Sequence, residues 1–177
     1  MEPDLLDLYR QAGAWTAERA GGAVDLDAAT PCEGWTVRDL LDHVLETQRY
    51  FAASARGEDP ARPGPTPVPS HSQDPARDVV AVQEEVLDAF GRDGAVERAG
   101  MLLGIAFTEQ LLHGWDLARA TGQDSRMPDR LAEAAFSMIH GRFTEEQRQG
   151  VFGPELPAGQ DAGPQERLLA YTGRVVT

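Results

Sequence analysis

The sequence predicts an all-α fold: a bundle of four main helices, a fifth helix packed at the side, and an irregular C-terminal tail. Three observations carry this. Apolar residues recur at steps of three and four in five separate stretches, which puts them on one helix face. Cap residues and breakers fall at the ends of those stretches. No convincing run has the period-two alternation of a half-buried strand.

The first helix covers residues 4–20, with Leu5, Leu8, Ala12, Trp15 and Arg19 inward, and Gly21-Gly22 end it. A loop over 23–34, broken by Pro31 and Gly34, leads to a second helix over 36–56. There Thr36 and Asp39 have the spacing of a variant capping box. Val37, Leu40, Leu41, Val44, Phe51 and Ala52 form the core stripe, with His43 beside it. Residues 57–74 hold Pro60, Pro63, Pro65, Pro67 and Pro69. They read as a mobile or polyproline-like linker, or as a loop over a site; His71 within it should be solvated. The third helix spans 75–91, with Pro75 in its first turn and Val79, Val82, Val86, Ala89 and Phe90 inward. Residues 92–100 turn the chain back. The fourth helix, 102–122, is apolar nearly all round, as central buried helices are. The fifth spans 128–148, with Leu131, Ala134, Ala135, Met138 and Ile139 inward. The tail, 150–177, carries a short helical turn near Glu166–Tyr171.

The chain of 177 residues suits one domain, 1–177. The net charge of −13 comes from acids spread over helix faces, and lysine is absent. Nucleic-acid binding needs clustered Lys and Arg, so it is not expected. The single cysteine, Cys32, allows no intramolecular disulfide and fits a reducing compartment. The N-terminus lacks a basic region followed by an apolar one, and the apolar run Met101–Phe107 is too short to span a bilayer. A cytoplasmic location without membrane association is expected. Arginine without lysine, beside abundant Ala and Gly, suggests a GC-rich bacterial genome.

The fourth helix carries Glu109, His113 and Asp116 on one stripe. An acid and an imidazole on a buried stripe cost several kcal/mol unless something pairs them. Glu109 and His113, four residues apart, can both reach one ion, and zinc accepts such donors at ~2.0–2.2 Å. His43 is the best third ligand, being the other histidine on a core helix with apolar neighbours. The same spacing also fits a buried Glu–His ion pair or a solvated surface pair. Asp116 fits either a hydrogen bond from a ligand imidazole or a salt bridge to Arg119 or Arg38. Trp35 and Trp115 read as core, Cys32 as an inert loop thiol with no base placed beside it, and His140 as a surface or capping residue. There is no Gly-rich phosphate loop, Cys-x2-Cys pair, His-Glu-x2-His or Gly-x-Ser-x-Gly elbow.

Two segments, TPCEGWTVRDLLDHV (30–44) and EQLLHGWDLARATGQD (109–124), resemble the signatures of the mycothiol-dependent maleylpyruvate isomerase-like proteins of the DinB/YfiT-like superfamily. The opening LLDLYRQA and the closing RLLAYTGR (167–174) are similar to its short actinobacterial metal-binding branch. The resemblance implies a DinB-like four-helix bundle with an additional C-terminal helix. It also implies a divalent metal, zinc ahead of nickel, iron or manganese, held by His43, Glu109 and His113. Mycothiol or bacillithiol is then implied as cofactor or co-substrate, and a small-molecule electrophile as substrate. The expected function is a metal- and thiol-dependent S-transferase or isomerase. The alternatives are a lyase or cyclase of secondary metabolism on the same scaffold, or a non-catalytic metal-binding or stress protein. A homodimer through helix faces is compatible with the superfamily. The connection 92–101 looks shorter than in relatives, which bears on the pocket.

Overall fold

The structure, a computed structural model, describes residues 4–148 and 151–176. It is all-helical: α1 (Leu5–Gly21), α2 (Val37–Ala55), α3 (Pro75–Phe90), α4 (Ala95–Thr121), α5 (Asp129–Ile139), α6 (Glu145–Arg148) and α7 (Pro164–Tyr171). Among the described residues the β-type pairing is confined to an isolated antiparallel bridge between Ala29 and Thr36. None of the described helices is long and apolar enough to cross a membrane. The chain divides into two compact units, Met1–Ser125 and Arg126–Thr177.

The first unit is the four-helix bundle. α1 packs on α4 and α3, α2 packs on α3 and α4, and the diagonal pairs touch little. The helix ends are chemically defined. Asp4 caps α1, its side chain accepting from Leu6 N–H, and Asp74 caps α3, accepting from Arg77 N–H. Thr36 and Asp39 form a reciprocal capping box at the start of α2, which satisfies two otherwise orphaned backbone donors. Val37, Leu40, Leu41, Val44 and Leu45 of α2 bury with Ala20, Val79, Val82 and Leu117 from the other three helices. This one cluster ties the bundle together and leaves α2 beside α4.

Polar side chains also cross the bundle. Tyr9 Oη donates to Gln48 Oε1 at 2.8 Å, and Gln83 Nε2 donates to Gln110 Oε1 at 2.9 Å. Burial pushes the Tyr9 phenol well above its ordinary value, partly opposed by a hydrogen bond with Gln110. These contacts reach all four helices and hold them in register, because a buried polar group left without its partner costs about 1–3 kcal/mol.

α1 packs tightly on α4 at Gly114. A Cβ there would lie 2.5 Å from both Thr16 Oγ1 and Trp15 Cζ3. Gly114→Ala should therefore force the helices apart at the residue after His113 and lower stability by about 1–3 kcal/mol, as overpacking does. Denaturant unfolding measures this; an unchanged midpoint would mean the contact is loose.

The sequence-based boundaries need three corrections. The fourth helix begins at Ala95, not 102, with a kink at Ala99 (φ −131°, ψ 18°). Residues 95–99, Ala-Val-Glu-Arg-Ala, are tolerable helix formers without proline, so the chain resumes the helix directly after Gly94 (φ 73°). The fifth helix does not run to 148. It stops at Ile139, His140 serves as its C-cap, and Gly141 takes φ 69° before the short α6. The predicted inward set is also too wide, since Ala134 and Met138 are only half-buried. The helical turn expected near Glu166–Tyr171 is longer, starting at Pro164, and α7 pairs with α5 in the second unit.

The proline-rich segment after α2 is not helical but is fastened to α2. Arg38 donates to the Ser72 carbonyl at 3.5 Å, Ser70 donates its hydroxyl to Asp42, and Val68 N–H donates to Glu46 at 3.4 Å. Positions 38, 42 and 46 form one helical stripe, so the segment runs antiparallel along α2.

Candidate metal centre

His43 on α2 and Glu109 and His113 on α4 come together because those helices are neighbours in the bundle. Each offers a donor atom within 4.8 Å of the other two. The His43 and His113 rings meet edge to face, with centroids 5.0 Å apart. One ion with bonds of ~2.0–2.2 Å can bridge this span after slight side-chain adjustment.

The donor chemistry fits a cation. His43 Nδ1 is buried and has no hydrogen-bond partner among the described residues. Burial, with the neighbouring His113, pushes the His43 pKa down to about 3, opposed by Asp116. The ring is therefore neutral at pH 7 with its lone pair available. Trp35 lies against it, centroids 4.9 Å apart.

His113 is held differently. Its Nδ1 lies 3.0 Å from Asp116 Oδ2. An ionised carboxylate can only accept, so Nδ1 carries a proton, and Nε2 is the nitrogen a metal could take by displacing the proton there. Burial works against charge on this ring, but the hydrogen bond it donates to Asp116 and its contact with Cys32 outweigh it and raise the pKa to about 10. Asp116 itself is fully buried. Of the two roles the sequence left open for it, contact with the His113 imidazole is present.

Sequence reasoning missed one participant. Cys32 does have titratable groups beside it: its thiol donates to Asp116 Oδ2 at 3.5 Å, and Cys32, His113 and Asp116 form a second cluster of donor atoms within 4.8 Å. Cys32 and Asp116 are 84 positions apart, so no local spacing signalled the contact; only the motif TPCEGW hinted at it. Trp35 likewise moves from generic core to the wall beside His43, while Trp115 is buried. His71 and His140 are exposed and belong to neither cluster.

Comparison with known proteins places the chain in a family. Residues 8–118 match the family described as the mycothiol maleylpyruvate isomerase N-terminal domain, a span that contains all three candidate ligands, Cys32 and Asp116. The chain is also similar to an uncharacterized protein of Mycobacterium tuberculosis, found in strains CDC 1551 and H37Rv. The identity is 32% over 191 residues, covering 99% of this chain and 100% of the relative. No solved structure matches.

Proposed function

Because the chain belongs to the mycothiol maleylpyruvate isomerase N-terminal domain family, we propose that it is a divalent-metal enzyme. It uses a low-molecular-weight thiol, mycothiol first, either joining the thiol through its sulfur to a small electrophile or isomerising that electrophile. The observation that carries this is the convergence of His43, Glu109 and His113 from two neighbouring helices. Three protein donors leave a coordination position for an exogenous group, the usual arrangement in catalytic zinc sites. A bound divalent ion would supply acidity, lowering the pKa of a coordinated thiol into the neutral range.

The chain's own residues define the rest. His43 offers a neutral nitrogen and Glu109 a carboxylate, so the donor set cancels only part of a divalent charge. Asp116 keeps the His113 proton on Nδ1 and so turns Nε2 toward the other donors. Trp35 gives the site an apolar wall beside His43, a surface suited to an uncharged or conjugated molecule. The net charge of −13 without lysine supports a small-molecule substrate over a polyanion.

The test is a thiol panel. Zinc-loaded protein is given mycothiol, bacillithiol or glutathione with model electrophiles, and products are followed by mass spectrometry. Adduct or isomer should form fastest with mycothiol and fall to background in metal-stripped protein. Turnover independent of added thiol would support thiol-free lyase or cyclase chemistry. Absence of turnover with every thiol, in protein that holds the metal, would leave a non-catalytic metal-binding role.

A further inference from the structure

We propose that Cys32 is a positioning residue for His113, acting through Asp116. The inference rests on the metal-site reading above. Its basis is that one oxygen, Asp116 Oδ2, receives both the Cys32 thiol at 3.5 Å and His113 Nδ1 at 3.0 Å. A carboxylate held from both sides cannot turn about its own bond without breaking one contact. The imidazole that depends on it is then held in the rotation that presents Nε2.

The loop carrying Cys32 is built to keep the thiol there. Thr30 Oγ1 accepts from Cys32 N–H at 3.2 Å and donates to the Trp35 carbonyl at 3.0 Å. Trp35 N–H returns to the Cys32 carbonyl at 3.0 Å, and Thr30 N–H bonds the Trp35 carbonyl at 3.0 Å. Gly34 takes φ 79°, a left-handed conformation that glycine adopts without strain, and closes the turn. Cys32 and Trp35 both pack on the cluster formed by Val37, Leu40 and Leu117. One six-residue loop thus braces both candidate histidines, His43 through the Trp35 ring and His113 through the Cys32–Asp116 contact. Alanine at position 32 fills the same packing position but cannot donate to Asp116. Serine can, at slightly shorter reach. The two substitutions therefore separate a packing role from a positioning role.

The experiment is cobalt(II) titration of metal-free protein against a competing chelator, read by the cobalt absorption spectrum, with circular dichroism recorded on each variant. Cys32→Ala should weaken cobalt binding on the order of tenfold, as loss of a group supporting a ligand histidine does, and should alter the cobalt spectrum. Cys32→Ser should restore affinity to within about threefold of the unmodified protein. In an Asp116→Ala background, which removes the shared acceptor, Cys32→Ala should add no further loss. The proposal is overturned if Cys32→Ala binds as tightly as the unmodified protein, if serine is as weak as alanine, or if the alanine effect is undiminished without Asp116. If the unmodified protein takes up no stoichiometric cobalt, the metal-site reading fails and this inference fails with it. Normal cobalt uptake with an indifferent Cys32→Ala refutes the inference alone.

Discussion

His113→Ala should abolish stoichiometric metal while leaving a folded helical protein. The substitution removes one of three donors and frees Asp116 from the contact that orients the pair. Disturbing only a supporting group behind a ligand histidine already costs 10–100-fold in affinity, in round terms on the order of 1.4–3 kcal/mol. Loss of the ligand itself should exceed that. The fold should survive because α4 is anchored by Leu103, Phe107, Leu111 and Leu117, all fully buried. The penalty for leaving buried Asp116 short of a partner is about 1–3 kcal/mol, against a typical domain stability of about 5–15 kcal/mol. Elemental analysis after gel filtration, with circular dichroism as the control, checks both halves. Full metal in a folded variant would refute the ligand assignment. His43→Ala provides the parallel measurement from α2.

The second large effect is the pH dependence of metal affinity. In the metal-free protein His113 titrates near 10, burial opposing and the Asp116 and Cys32 contacts prevailing. Below that value its Nε2 carries a proton that the metal must displace. His43, lowered to about 3 by burial and by His113, is a neutral imidazole at neutral pH with one nitrogen already free, and contributes no slope there. One proton should therefore be released per metal bound. Affinity should rise about tenfold per pH unit, roughly a thousandfold from pH 6 to pH 9. The sign follows from competition: acid protonates the ligand and drives the metal off. Chelator competition across that range, corrected for the chelator's own protonation, measures the slope. Calorimetry in buffers of different ionisation enthalpy counts the proton independently. Affinity that is flat between pH 7 and 9 would falsify the protonated metal-free state of His113. In Asp116→Ala both the hydrogen bond and the charge of Asp116 are gone, so the rising limb should move to lower pH.

Much of the fold was legible because helices announce themselves locally. The Thr36–Asp39 capping box, Pro75 in the first turn of α3 and the apolar face of α2 are all properties of neighbouring residues. Errors came where a local signal was ambiguous. Residues 92–100 contain Gly91, Gly94 and Gly100 within or beside them and read as a turn, yet the turn is confined to 91–94 and the helix resumes at Ala95. Residues 142–148 contain no proline and read on paper as a continuation of the fifth helix, whereas Gly141 adopts a positive φ just after the helix ends.

The site divides along the same line. Glu109 and His113 could be paired from the sequence because residues four apart on a helix share a face. His43 was chosen for its apolar setting, and Asp116 fell on the same stripe. These are consequences of helical period and burial, which one chain of letters contains. The joining of α2 to α4 depended on tertiary structure, since it requires the packing order of the bundle. So did the contact of Cys32 with Asp116, which requires a loop to fold back across 84 positions. The reason is physical: covalent spacing dictates which side chains share a helix face, whereas contacts between distant segments arise from the packing of whole faces against one another. The sequence by itself therefore determined the helices and the donors on α4. The tertiary structure decided which donors meet, that His113 is held by Asp116, and that the 30–35 loop stands behind both histidines.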